Sequence, residues 1–82
     1  MAADYAPDNI RVNAIVPGTI DTPMNALALA NEESRQRFIA MAPARRLGSP
    51  EDICGLAVFL ASDESQYCVG GFYTADGGLT AV

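Results

Sequence analysis

The sequence predicts an α/β fold, the closing βαβ unit of a doubly wound parallel sheet. Three observations carry this. A β-rich run at residues 10–16 and a second short one at residues 72–75 are separated by far too many residues for a hairpin. A strongly signalled helix beginning after Ser49 lies between them. The first run is apolar almost throughout, which suits a parallel strand covered on both faces. Strand, long helical connection and strand make parallel neighbours joined by a right-handed crossover.

The elements follow in order. Residues 2–6 have helical character and stop at Pro7, with Asp8 and Asn9 behind them as turn formers. So short a helix does not offset its own nucleation cost, so it reads as the last turns of a longer one. In the strand over 10–16, Ile10, Val12, Ala14 and Val16 share one face, and Ile15 adds apolar character to the other. Pro17 and Gly18 end it. Residues 19–23 form a polar loop, and residues 24–42 are helical in composition but uneven. Asn31 caps a second helix there, with Glu32 and Glu33 in the first turn, where the dipole favours negative charge. Phe38, Ile39 and Met41 give that helix its apolar surface, and Pro43 closes the segment.

The clearest local signal comes next. Ser49 is placed to cap a helix, Pro50 stands at its first position and Asp52 three residues after the cap. Ile53, Leu56, Ala57 and Leu60 then recur at i, i+3, i+4 and i+7, an apolar stripe facing a core. This helix is expected to run to about Ala61, with residues 62–65 as its polar exit. A break at Gly70 and Gly71 precedes the strand over 72–75, and Asp76, Gly77 and Gly78 form a turn. The two strands leave an apolar edge open for a further neighbour.

Composition narrows the chemistry. The chain has 82 residues, half of them apolar, and no His, Lys or Trp. A chain of this size buries only about 60% of its unfolded surface, so one marginally stable domain is the upper bound. A net charge of −5 with scattered arginines argues against a nucleic-acid partner. No apolar run approaches the roughly 20 residues of a membrane span, and the N-terminus lacks the basic and apolar regions of a signal peptide. The cytoplasm is the expected compartment. Without His there is no Ser-His-Asp triad and no imidazole ligand, and no metal site is expected from Cys54 and Cys68 alone. Cys54 falls within an apolar helical pattern and is expected as a buried free thiol.

The stretch Ile10-Arg11-Val12-Asn13-Ala14-Ile15-Val16-Pro17-Gly18-Thr19-Ile20-Asp21-Thr22 is similar, position by position, to the signature of the short-chain dehydrogenase/reductase family. That signature runs apolar, basic, apolar, Asn, any, apolar, any, Pro-Gly, three of any kind, Thr. Residues 46–53 resemble the entry to the family's penultimate helix, and Asp76-Gly77-Gly78 resembles the turn after its last strand. The resemblance covers the whole chain but only about the final third of a full-length member. It implies that residues 1–82 are the C-terminal part of one NAD(P)-binding, Rossmann-type domain, with the N-terminal two-thirds absent.

Ligands of open parallel sheets bind beyond the carboxyl ends of the strands, where Pro17 and Gly18 stand. Glycine there lets backbone approach a flat ring closely. By resemblance, Pro17 and Gly18 line the nicotinamide of NAD or NADP, Ile20 meets the carboxamide through its backbone, and Thr22 hydrogen-bonds carboxamide or phosphate oxygens. Asn13 reads as a structural hydrogen-bonder. Residues 24–42 correspond to the family's variable substrate lid, with Met24, Leu27 and Phe38 as candidate substrate contacts; core packing is the alternative for each.

The resemblance also marks what these residues lack. The family's proton-transferring Tyr is paired with a Lys four residues on, and here Tyr5, Tyr67 and Tyr73 are followed at that spacing by Asn9, Gly71 and Gly77. The glycine-rich turn that seats a pyrophosphate on a helix N-terminus is missing too. No catalytic residue is therefore assigned. The expectation is an oxidoreductase moving hydride between a nicotinamide and a carbonyl or alcohol carbon of a small molecule. The parent is expected as a homo-oligomer, and the chain alone as inactive. The alternative is a non-catalytic association module derived from such an enzyme.

Overall fold

A computed structural model describes residues 1–81 of the chain. Helix α1 spans Ala2–Tyr5 and tightens into a 3-10 turn over Ala6–Asp8, so the helical path passes through Pro7 instead of stopping there. Proline is tolerated because it stands in the first turn of the tighter helix, where its missing N–H costs no bond. Asn9 then reverses the chain in the left-handed region, at φ 61°, a conformation its short amide tolerates better than most side chains.

Strand β1 is shorter and later than the apolar pattern suggests, spanning Ala14–Pro17 and not residues 10–16. Its partner explains the difference. Strand β2, Phe72–Ala75, runs parallel to it in the register Ala14↔Phe72 to Pro17↔Ala75. Just before β2 the backbone turns through Gly70 at φ 75°, where its amide still donates to the Val12 carbonyl at 2.9 Å, and the regular pairing does not extend over residues 10–13. The Asn13 side chain closes the ladder there, accepting from the Gly71 amide at 3.0 Å and donating to the Cys68 carbonyl at 2.8 Å.

Between the strands lie α2 (Ala26–Leu29), α3 (Glu32–Met41) and α4 (Pro50–Ala61). The Asn31 side chain caps α3, accepting from the amides of Glu33 at 2.8 Å and Ser34 at 3.3 Å. Helix α4 begins and ends where the sequence indicates. The Asp52 carboxylate reaches back to the Ser49 amide at 2.7 Å, and Arg46 grips the same carboxylate through two nitrogens at 2.8 and 3.1 Å.

Arg46, followed by the Ser49 amide and hydroxyl, holds the Asp52 carboxyl well below the usual carboxylate range. A depressed carboxyl contributes stability that is complete above its unfolded value, near pH 4, and is lost as the pH falls below that toward the folded value. In far-UV circular dichroism of the natural gene product, acid loss of stability below pH 4 is expected to be smaller in Asp52→Asn than in the wild type. Parallel acid curves for the two proteins would show that the cap carries no such linkage.

Arg11 joins the two layers. It enters just before β1 and places its guanidinium at the end of α4, 2.8 Å from the Leu60 carbonyl, 3.1 Å from that of Ser62 and 3.0 Å from the Ser65 hydroxyl. Three of the four stripe residues of α4, Ile53, Leu56 and Leu60, are half-buried. Ala57 and Cys54 are exposed, against the expectation of a buried thiol at Cys54.

Among the described residues only Leu29 and Ala42 are buried apolar side chains, and Ser65 is the buried polar one. The radius of gyration, 15.5 Å, exceeds the roughly 12 Å of a compact chain of this length. The parallel pair and its helices thus form an open layer, with apolar side chains such as Val58 and Phe72 facing outward. No helix among the described residues is long and apolar enough to cross a membrane.

Candidate functional site

Strand β1 ends at Pro17, and the chain turns immediately across the top of the sheet. Gly18 donates to the Ala75 carbonyl at 3.1 Å, so the ladder persists one residue past the strand. A Cβ on Gly18 would stand 2.8 Å from both Cα and Cβ of Asp76. Glycine is therefore required by the close approach of the chain's own backbone, a reason the motif does not disclose. Asp76 in turn is fixed by accepting from the Thr80 hydroxyl at 2.8 Å and from the amides of Thr80 and Gly78. The Thr80 hydroxyl is the main cause of its lowered carboxyl pKa.

Beyond Gly18 the loop makes a second, isolated parallel bridge, Ile20 to Gly48. It uses the Thr19 carbonyl (3.0 Å) and the Asp21 amide (2.9 Å), both bonded to Gly48. Alternation of backbone groups then turns the amide and carbonyl of Ile20 itself to the opposite edge. There the Asn25 side chain donates to the Ile20 carbonyl at 2.6 Å. The Asp21 side chain pairs with Arg35 of α3 at 2.7 Å, tying the loop to the helix behind it.

The result is a groove of about 660 Å³ at the carboxyl end of β1. One wall is Pro17, Gly18, Ile20 and Thr22, followed by Pro23, Met24 and Asn25; the other is the start of α4 with Ile53, Cys54 and Ala57. All four residues expected at the cofactor thus stand together, with Met24 beside them. The exposure of Cys54 and Ala57 has its cause here, since both face the groove instead of a core.

The other two candidate substrate contacts lie elsewhere. Leu27 is 95% exposed on α2 and does not line the groove. Phe38 lines a separate cavity of about 140 Å³ with Thr19, Met41 and Leu79. The break between α2 and α3 turns the two helices differently, so composition alone did not reveal which side chains reach the groove. Asn25 escaped the sequence reading because a side chain bonding a carbonyl five residues back follows no helical or turn rule. No group of three or more His, Cys, Asp or Glu among the described residues is arranged to hold a metal.

The family model described as Enoyl-(Acyl carrier protein) reductase matches residues 1–80. The 3beta-hydroxysteroid dehydrogenase 1 of Eggerthella lenta is 42% identical over 80 residues, covering 98% of this chain. The chain belongs to the short-chain dehydrogenase/reductase family. The L-rhamnose 1-dehydrogenase (NAD(P)(+)) of Azotobacter vinelandii is 47% identical to this family member over 78 residues, 95% of the chain. A solved 4-hydroxyisoleucine dehydrogenase complexed with NADH superposes on the whole of it at TM-score 0.94 and 32% identity. The fold is accordingly the C-terminal βαβ part of a Rossmann-type parallel sheet. The chain spans about a third of each relative, 31%, 30% and 34% respectively.

Proposed function

We propose that this stretch forms the nicotinamide-side wall and substrate lid of an NAD(P)-dependent oxidoreductase acting on a carbonyl or alcohol carbon of a small molecule. The observation that carries the reading is the groove in which Pro17, Gly18, Ile20 and Thr22 converge at the carboxyl end of β1. Relatives whose names include NADH or NAD(P)(+) support the choice of cofactor class. Their names span a steroid, a sugar and an amino acid, so the substrate class stays at carbonyl or alcohol.

The residues present fit a nicotinamide. A carboxamide offers one acceptor and a two-proton donor, and the outward-turned peptide groups of Ile20 offer the complementary pair. The apolar wall of Pro17, Ile20 and Ile53 suits the ring face, and Thr22 supplies a hydroxyl at the rim. When bound, the nicotinamide supplies or accepts the hydride. The residues of this chain bind and orient it and shield it from water; no Tyr–Lys pair is present to move the hydroxyl proton. The 82-residue chain alone is therefore inactive in this proposal. The reading includes a homo-oligomeric enzyme of the cytoplasm with no nucleic-acid partner.

The test is the natural gene product, purified under native conditions, weighed intact and titrated with NADH and NADPH. A mass of roughly 25–28 kDa, one complete α/β domain, with saturable micromolar fluorescence enhancement is the expected result. Failure of both nucleotides to bind would overturn the proposal. Micromolar binding by the 8.6 kDa chain alone would overturn the one-wall assignment. The exposed side chains of Val58, Phe59 and Phe72 favour a second reading for a chain of that mass, association without catalysis.

A further inference from the structure

We infer that Gly48 is a positioning residue for the nicotinamide site: its missing side chain leaves room for the tip of the Ile20 side chain, which is thereby kept out of the space for the ring. The inference rests on the proposed function and extends it to the segment before α4, outside the signature. Gly48 is the bridge partner of Ile20, donating to the Thr19 carbonyl at 3.0 Å and accepting from the Asp21 amide at 2.9 Å. A peptide unit is planar, so holding the Thr19 carbonyl aims the Ile20 amide, and holding the Asp21 amide aims the Ile20 carbonyl. Both groups that meet the carboxamide in the proposal are thus directed by one residue.

Any amino acid except proline supplies those two backbone bonds, so what distinguishes glycine here is space. A Cβ at position 48 would stand 2.5 Å from Ile20 Cδ1. Its next neighbours, the Thr19 carbonyl oxygen at 3.6 Å and Ile20 Cγ1 at 3.8 Å, lie at ordinary contact distance. The obstruction is therefore a single methyl group. Gly48 is not among the glycines with positive φ, so its backbone accepts an L side chain. The tip of Ile20 occupies the place that a side chain at 48 would take, while Ile20 itself borders the groove. Driven off Gly48, that methyl has the groove as the open volume beside it, and it would stand proud of the apolar wall where the ring rests. Gly48 thus turns the peptide groups of Ile20 toward the ligand and holds its side chain clear.

The test pairs two substitutions in the natural gene product. Gly48→Ala adds the methyl, and Ile20→Val removes the one atom it meets. Gly48→Ala alone is expected to raise the Kd for NADH about tenfold, the scale of overpacking by one methyl group. The Kd for ADP-ribose, which lacks the nicotinamide, is expected to stay within about twofold of wild type, since distant sites do not couple; this also shows that the variant folds. In an Ile20→Val background, the same Gly48→Ala change is expected to move the NADH Kd by less than about twofold, because the contact that couples the two positions is gone. No weakening by Gly48→Ala, equal weakening toward NADH and ADP-ribose, or a loss that persists in the Ile20→Val background would each overturn the inference and leave the proposed function standing. Absence of NADH binding by the wild type would instead remove the reading beneath it.

Discussion

Replacing Gly18 with alanine is expected to cost about 1–3 kcal/mol of stability and to weaken nicotinamide binding by about tenfold or more. The added methyl would stand 2.8 Å from the Cα and Cβ of Asp76, and Cα is backbone, which cannot swing aside as a side-chain tip would. Asp76 is itself clamped by the amides of Gly78 and Thr80 and the hydroxyl of Thr80. The end of β1 must therefore yield, and it carries Pro17 and Ile20 with it out of the groove wall. Thermal unfolding and NADH titration of the Gly18→Ala gene product check both parts. Wild-type affinity in a destabilised variant would mean that the wall keeps its place when the ladder end shifts.

The second large effect belongs to Arg11. Arg11→Ala is expected to lower stability by about 3 kcal/mol, since hydrogen bonds to a charged group contribute about 1.5–3 kcal/mol each and are not additive. The substitution strips the guanidinium from the Leu60 and Ser62 carbonyls at the end of α4 and from the buried Ser65 hydroxyl. It also removes a positive charge from a helix C-terminus, where the dipole favours one. Arg11→Lys should recover less than half of the loss, because an ammonium lacks the fork that spans all three acceptors. Denaturant unfolding of the three proteins decides the matter; full recovery by lysine would assign the effect to charge alone.

These two residues show how the signature divides. Pro17, Gly18, Ile20 and Thr22 were expected together because strand ends in parallel sheets are where ligands sit, and all four do line one groove. Arg11 and Asn13 belong to the same stretch but serve the scaffold, one tying β1 to α4 and the other closing the ladder. Helix α4 was legible to the residue because its signals are local: a cap, a proline and a carboxylate within four positions. The start of β1 was not, because it depends on how the backbone turns at Gly70. The exposure of Cys54 and the separation of Phe38 from Met24 were hidden for the same reason. Periodicity names the face of a helix, but only its neighbours determine what that face meets.

The partners that complete β1 stand 58 residues further along the chain, as Gly71 does from Asn13. At a synthesis rate of about 5–20 residues per second, roughly 3–12 seconds separate the emergence of the first strand from that of its mate. During that interval Ile15 and Val16 present apolar surface with no β2 beside them, while α4, with its own cap, has the local signals to form early. The parallel register thus imposes a waiting time on the ribosome-bound chain, during which one edge of this apolar segment stands without the strand that later pairs with it.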